Sequence, residues 1–234
     1  MNVFVTGGSG LLGRYLIPFL RKRGCNVTAP THKEFDITCQ HGPLFSENTV
    51  VINLAAYVNV ALCEYNPEEA FRINADCLDW LTEQPSWVQV YHISTDYVYS
   101  GVLPNSKETD LLDPWCVYGQ SKAEGDMRLL SHCRPNIHIL RTSFKDIKWP
   151  YPAAFADVYT NADTVDVIAD LIASFILKSP VGGIYNVGTA SKSLYQLAIR
   201  NNPDVTKGYL SEARIPTMKH NLTMDLSKFL WSKQ

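Results

Sequence analysis

The residues best suited to chemistry are Tyr118 and Lys122, in Tyr118-Gly119-Gln120-Ser121-Lys122. Four apart on a helix, they share one face, so the ammonium can lie close to the phenol oxygen. A free phenol has a pKa near about 10, too high for proton transfer near neutral pH, and a neighbouring positive charge lowers it. Such a pair can hand a proton to a carbonyl oxygen while hydride arrives at the carbon. Alone, the spacing equally describes two solvated helix residues. A second stretch changes that balance. Val3-Phe4-Val5-Thr6-Gly7-Gly8-Ser9-Gly10-Leu11-Leu12-Gly13-Arg14 is a short apolar strand, a glycine turn and a helix start. Unpaired N–H groups and the positive end of the helix dipole make such a start a phosphate site. In such a turn one glycine reverses the chain, one lets backbone approach a pyrophosphate, and one lets helix pack on strand. The run reads as Gly7-x-x-Gly10-x-x-Gly13 or as Gly8-x-Gly10-x-x-Gly13, and the spacing leaves both open. Arg14-Tyr15 stand where a Walker-type loop needs Lys-Ser/Thr, so a dinucleotide is the expected ligand.

The elements that must position these residues alternate between strand and helix patterns. That order predicts an α/β fold: a Rossmann-type doubly wound parallel sheet with a small C-terminal substrate lobe. After a helix from Leu11 to about Arg23, residues 25–29 read as strand two and the apolar run 49–54 as a strand buried on both faces. Residues 67–83 have helical periodicity, with Pro67 at an early helix position. Strand 87–94 leads into a Gly-, Pro- and Asn-rich loop, 97–115, followed by a helix from Val117 to about Cys133 and a strand at 137–141. Beyond Arg141 the pattern weakens, with a helix at 165–178 and a late strand at 183–187. Residues 1–145 are expected to form the dinucleotide-binding domain, and 146–234 a small lobe interleaved with returning sheet elements. Ligands of open parallel sheets bind at the carboxyl ends of strands. Three groups fall there: the glycine turn, Asn53-Leu54-Ala55-Ala56-Tyr57, and Ser94-Thr95-Asp96-Tyr97.

Bulk properties exclude several classes. The 234 residues suffice for a sizeable core, and 46% hydrophobic with 19% charged residues is ordinary for a globular protein. A net charge of −2 gives no electrostatic case for nucleic acid or an anionic membrane surface. The apolar stretch 165–177 is interrupted by Asp166 and Asp170 and is too short to span a bilayer. Strand one begins at Asn2, which leaves no room for a signal peptide, so a cytoplasmic location is expected. The cysteines, Cys25, Cys39, Cys63, Cys77, Cys116 and Cys133, form no C-x-x-C pair, which favours reduced thiols. The histidines form no H-x-x-x-H or H-E-x-x-H pattern, so no metal site is expected.

Several stretches, taken in order, resemble the extended short-chain dehydrogenase/reductases, and within them the dTDP-4-dehydrorhamnose reductase group. They are residues 6–14, Phe35-Asp36-Ile37-Thr38, residues 51–57, Cys63-Glu64 with Asn66-Pro67-Glu68, Ile73-Asn74, Ser94-Thr95-Asp96-Tyr97-Val98-Tyr99, Glu108-Thr109-Asp110 and Tyr118-Gly119-Gln120-Ser121-Lys122. Leu140-Arg141-Thr142-Ser143, Tyr185-Asn186-Val187-Gly188 and residues 222–228 also match. The resemblance implies that Tyr118 is the proton donor, Lys122 its activator and a ribose contact, and Thr95 a hydrogen bond to the substrate carbonyl. Gly7, Gly10, Leu11, Leu12 and Gly13 then line the pyrophosphate turn, Asp36 and Ile37 meet the adenine, and Ala55, Ala56 and Tyr57 the ribose–nicotinamide side. Asp96 and Phe144 lie beside the substrate sugar. The implied partner is a nucleotide sugar, and the family allows a homodimer through the helix bearing Tyr118.

Cofactor choice follows from charge. An acidic residue right after strand two pairs with a ribose 2′-hydroxyl and repels a 2′-phosphate. Pro30-Thr31-His32-Lys33 stand there, with Arg14 near the turn, so NADPH is expected over NADH; Glu34 is the residue able to reverse this. Two departures bear on the substrate. The insert after Arg141-Thr142-Ser143 is short, with Phe144 in place of a tryptophan, and Ala61-Leu62 replace an acidic residue before Cys63-Glu64. Three readings remain: an NADPH-dependent reductase of a 4-keto sugar nucleotide, an epimerase or dehydratase of the same superfamily, and a non-catalytic NADP-binding regulatory subunit.

Overall fold

The computed structural model describes residues 1–38, 42–213, 215–216 and 218–231; Cys39 lies outside them. The main-sheet strands come first: β1 (Asn2–Thr6), β2 (Asn26–Thr28), β3 (Thr49–Asn53), β4 (Gln89–Thr95) and β5 (Ile137–Thr142). Short strands β6 (Phe144–Lys145), β7 (Ala153–Phe155), β8 (Tyr159–Thr160) and β9 (Asp163–Thr164) follow, before β10 (Gly183–Val187) returns to the main sheet. The six-stranded order is β10-β5-β4-β3-β1-β2, all parallel. From β1 the chain builds β2 on one side and then crosses to β3 on the other. The strand order therefore reverses between β1 and β3, which opens a crevice outside their carboxyl ends.

The sheet is buried on both faces because alternate side chains point opposite ways. Val3, Val5, Val50 and Ile52 face α1 (Leu11–Lys22) and, later in the chain, the apolar helix Val165–Leu177. Val51, Val90 and Ile139 face the other layer, with Leu78, Leu81 and Leu129. That layer holds α2 (Val60–Tyr65), α3 (Pro67–Asn74), α4 (Asp79–Thr82) and α5 (Val117–Ser131).

The periodicity over 67–83 predicts one helix, and the structure breaks it into α3, a 3-10 turn at Asp76–Leu78 and α4. The cause is tertiary. Asn74 is buried and its amide brackets the Tyr57 backbone, accepting from its N–H at 2.8 Å and donating to its carbonyl at 3.0 Å. A further bond runs from Asn74 to Ser121 Oγ on α5. The geometry that satisfies the 57 loop ends the helix. Helix α2, for which the sequence pattern gave no signal, is started by Asn59, whose side chain accepts from Leu62 N–H.

The residues after β5 form a smaller cluster around Trp149, Val158, Leu194, Val205, Leu210 and Leu222. Residues 222–225 reach back to the long loop, where Ser106 N–H donates to the Thr223 carbonyl and Asp225 N–H to that of Ser106. Among the described residues no helix is long and apolar enough to cross a membrane, and Cys25, Cys63, Cys77, Cys116 and Cys133 are free thiols.

Candidate active site

A cleft of about 550 Å³ lies at the carboxyl ends of β1, β3 and β4. Its floor is the turn Gly7, Ser9, Gly10, Leu11, Leu12 and Gly13. The backbone distinguishes the glycines, although a Cβ on Gly8 would also crowd Ile17 and Ala29. Gly7 has φ +65°, and a Cβ there would fall 2.5 Å from Ala55 N. A Cβ on Gly13 would fall 2.3 Å from the Gly8 carbonyl, so its bare backbone lets α1 pack against the turn. This is the Gly7-x-x-Gly10-x-x-Gly13 reading. Gly10 is the N-cap of α1 and gives no side-chain cap, so the first N–H groups of a 12-residue helix face the cleft for an anion.

One wall carries His32, Asp36, Ile37 and Thr38. The Asp36 carboxylate accepts from Thr38 N–H at 2.9 Å and its hydroxyl at 2.8 Å, which holds its pKa below the usual carboxylate value. His32 Nε2 lies 3.5 Å from Asp36. Glu34 turns onto Thr31, accepting from its N–H and hydroxyl at 2.8 and 2.9 Å, and is not a lining residue. Arg14 donates to the Ser9 carbonyl at 2.9 Å and braces the turn. Leu54, Ala55 and Ala56 supply the small middle section.

The far end brings together Thr95, Tyr118, Lys122 and Phe144. Cys116 starts α5, its sulfur accepting from Gly119 N–H, and Glu64 on α2 accepts from Val117 N–H at 2.8 Å. These contacts fix the first turn of α5, on which Tyr118 sits. Its ring packs edge-on to Tyr97, with centroids 5.9 Å apart. Burial pushes the Tyr118 phenol up, and a hydrogen bond with the Thr95 side chain acts against that. Lys122 is 1% exposed, and burial brings its amine down to about 8. It donates to the Ile93 carbonyl at 2.8 Å and lies 3.0 Å from His92 Nε2. In place of the expected lowering by the Lys122 charge, burial dominates the phenol, and Thr95 is the group that eases it.

Two expected residues stand apart from the cleft lining. Tyr57 is half-buried with its backbone taken by Asn74. Asp96 is buried beneath Thr95, whose hydroxyl donates to it at 3.1 Å, and burial pushes its carboxyl up to about 6 against the opposing charge of Lys145. Ser94, from the strand-end group that the sequence marks, also lines the cleft, as do Thr142, Ser143 and Lys145, which the sequence did not single out as site residues. Thr142 and Ser143 sit at or just after the end of β5. Ser94 Oγ and Thr142 Oγ1 are buried without a hydrogen-bond partner among the described residues, at the edge of the cleft. Leu11, Phe144 and Lys145 also border a second cavity of about 550 Å³, walled by Trp149, Pro150, Tyr151, Phe155, Leu194 and Met218.

Comparison with known proteins places this geometry. A family model described as RmlD substrate binding domain matches residues 1–175. The dTDP-4-dehydrorhamnose reductase of Aggregatibacter actinomycetemcomitans is 36% identical over 182 residues, 73% of this chain and 61% of that protein. Methionine adenosyltransferase 2 subunit beta of Danio rerio is 30% identical over 153 residues, 60% of this chain and 46% of that protein. The chain spans about half to three-fifths of the length of the curated relatives it matches first. A crystal structure of dTDP-4-dehydrorhamnose reductase from Bacillus anthracis in complex with NADP shares the fold, with a TM-score of 0.81 at 20% identity, covering 98% of this chain and 91% of that one. Sheet order, glycine turn and the match across β1 to α5 and beyond converge on one assignment: the chain belongs to the RmlD substrate binding domain family.

Proposed function

We propose that this chain is an NADPH-dependent reductase of a 4-keto sugar nucleotide, similar to dTDP-4-dehydrorhamnose reductases. The observation that carries it is the meeting of Thr95, Tyr118 and Lys122 in the same cleft as the uncapped start of α1. The residues suit a dinucleotide. The α1 N-terminus takes the pyrophosphate, Asp36 and Ile37 the adenine side, and Ala55 and Ala56 the flat ring. Ser94 and Thr142 line the same cleft. When bound, NADPH supplies the hydride. Tyr118 delivers the proton to the sugar carbonyl oxygen, and Thr95, its hydroxyl proton turned from Asp96 to that oxygen, holds it in place. Lys122 binds the ribose and sets the local charge. Phe144, with the second cavity around Trp149 and Tyr151, receives the nucleotide sugar, so residues from 146 onward form the substrate side.

His32 on the wall, with Glu34 turned away onto Thr31, favours a 2′-phosphate over a bare hydroxyl. The test is a screen of 4-keto sugar nucleotides with NADPH and NADH, following loss of the reduced nicotinamide absorbance, beside a binding titration. Stoichiometric NADPH oxidation supports the reading. Product formed without net NADPH loss points to an epimerase or dehydratase. Tight NADPH binding with no turnover of any keto sugar favours the non-catalytic subunit; one relative, from Danio rerio, is named as a subunit of another enzyme.

A further inference from the structure

A line of buried polar side chains crosses the sheet directly behind the cleft. Thr6 Oγ1 lies against Asn53 Oδ1, Asn53 Nδ2 lies 3.0 Å from His92 Nδ1, and His92 Nε2 lies 3.0 Å from Lys122 Nζ. The parallel register sets Thr6 beside Asn53 and Asn53 beside His92, and Lys122 reaches in from α5. All four are at most 2% exposed. Such a line must be internally consistent in donors and acceptors, because no water competes for them.

Two arrangements leave no donor or acceptor along the line unpaired; a neutral amine donating to Nε2 would strand its own lone pair. An ammonium has donors only, and a neutral imidazole has one donor and one acceptor. With Lys122 charged, His92 Nε2 must accept. The ring proton is then on Nδ1 and donates to the Asn53 carbonyl, with the Asn53 amide nitrogen turned to Thr6 Oγ1. With Lys122 neutral, its lone pair accepts from Nε2–H, Nδ1 accepts from the Asn53 amide, and the Asn53 carbonyl accepts from Thr6. An imidazolium fits neither, and burial holds His92 well below the ordinary histidine range.

We propose that His92 is a positioning residue for Lys122, its tautomer changing together with the charge of the amine. When Lys122 loses its proton to water, the imidazole keeps one proton, relocated from Nδ1 to Nε2, and the Asn53 amide turns over. The charged and titratable groups around the amine are His92 on β4, Cys77 in the 3-10 turn and Asp126 on its own helix, with Tyr118 one turn earlier on that helix and lining the same cleft. Asp126 is held by Arg141 Nε at 2.9 Å, and Cys77 by the Ile73 carbonyl. His92 is the one of these in hydrogen-bond contact with Lys122 whose donor and acceptor ends can exchange. The lowered Lys122 value, about 8, puts both arrangements within reach near neutral pH. The functional consequence rests on reading Lys122 as partner of Tyr118 and the ribose; the coupling itself does not.

Nitrogen-15 NMR of the histidine rings in the full chain distinguishes the tautomers. The His92 resonances, assigned by their loss in His92→Gln, should report Nδ1–H in the acid range and Nε2–H in the alkaline range, with a midpoint near 8. In Lys122→Met the tautomer should no longer respond to pH. A single tautomer from about pH 6 to about pH 10 in the unmutated chain, or a doubly protonated ring near pH 6, overturns the proposal. This measurement needs no substrate, so it stands even if no keto sugar is reduced. Where turnover is found, His92→Leu should lower the midpoint of the kcat pH profile by about one unit, and His92→Gln, whose amide can present either end, should restore it. Equal midpoints in His92→Leu and the unmutated chain count against the coupling, since a merely structural role lowers the rate alike at every pH.

Discussion

Tyr118 and Asp96 show how position decides what a titratable group does. Burial pushes the phenol up, which keeps it protonated, and a hydrogen bond with the Thr95 side chain acts against that shift. Tyr118→Phe should lower turnover by about 10²- to 10⁴-fold, the range for loss of a general acid, with NADPH affinity unchanged in a fluorescence titration. Asp96 sits one residue from Thr95 but beneath it, next to half-buried Lys145. Its folded pKa, about 6, is above the ordinary 3.8. The native state therefore binds the extra proton between those values, and stability falls as pH rises through that window. Asp96→Asn removes the ionisation, so its melting temperature relative to the unmutated chain should climb as pH goes from 4 to about 7 and then level off. A thermal melt series across that range checks it.

At the scale of elements, the glycine turn was readable because its requirements are local. A positive φ and a close strand-to-helix approach each demand a residue without Cβ, and Gly7 and Gly13 meet them. Gly13→Ala sets a methyl against the Gly8 carbonyl and should weaken NADPH binding by at least about tenfold, with a stability loss of about 1–3 kcal/mol by urea denaturation. The break between α3 and α4 was not readable. Periodicity over 67–83 reports an apolar face, and that face survives the break, since Leu78 and Leu81 remain buried. What ends α3 is a side chain satisfying a loop distant in sequence. Asn74→Ala leaves the Tyr57 N–H and carbonyl without their partners and should cost about 2–3 kcal/mol, again by urea denaturation.

At the scale of the whole molecule, the reversal of strand order between β1 and β3 creates the cleft, and the residues after β5 close its far side with a second cavity. Tyr151 is exposed on that cavity's wall. Tyr151→Ala should raise KM for the nucleotide sugar with kcat and NADPH affinity nearly unchanged, because it removes a contact made equally to ground and transition states. The amino-acid order by itself determined the strand–helix alternation, the glycine turn and the Tyr118–Lys122 spacing, each written in contacts between near neighbours. It did not show that Asn53 and His92 stand behind Lys122, that Asp96 turns under the cleft instead of into it, or that Ser94 and Thr142 keep buried hydroxyls without a hydrogen-bond partner. Those relations join residues from different strands, and only the parallel register and the seating of α5 bring them within hydrogen-bond reach.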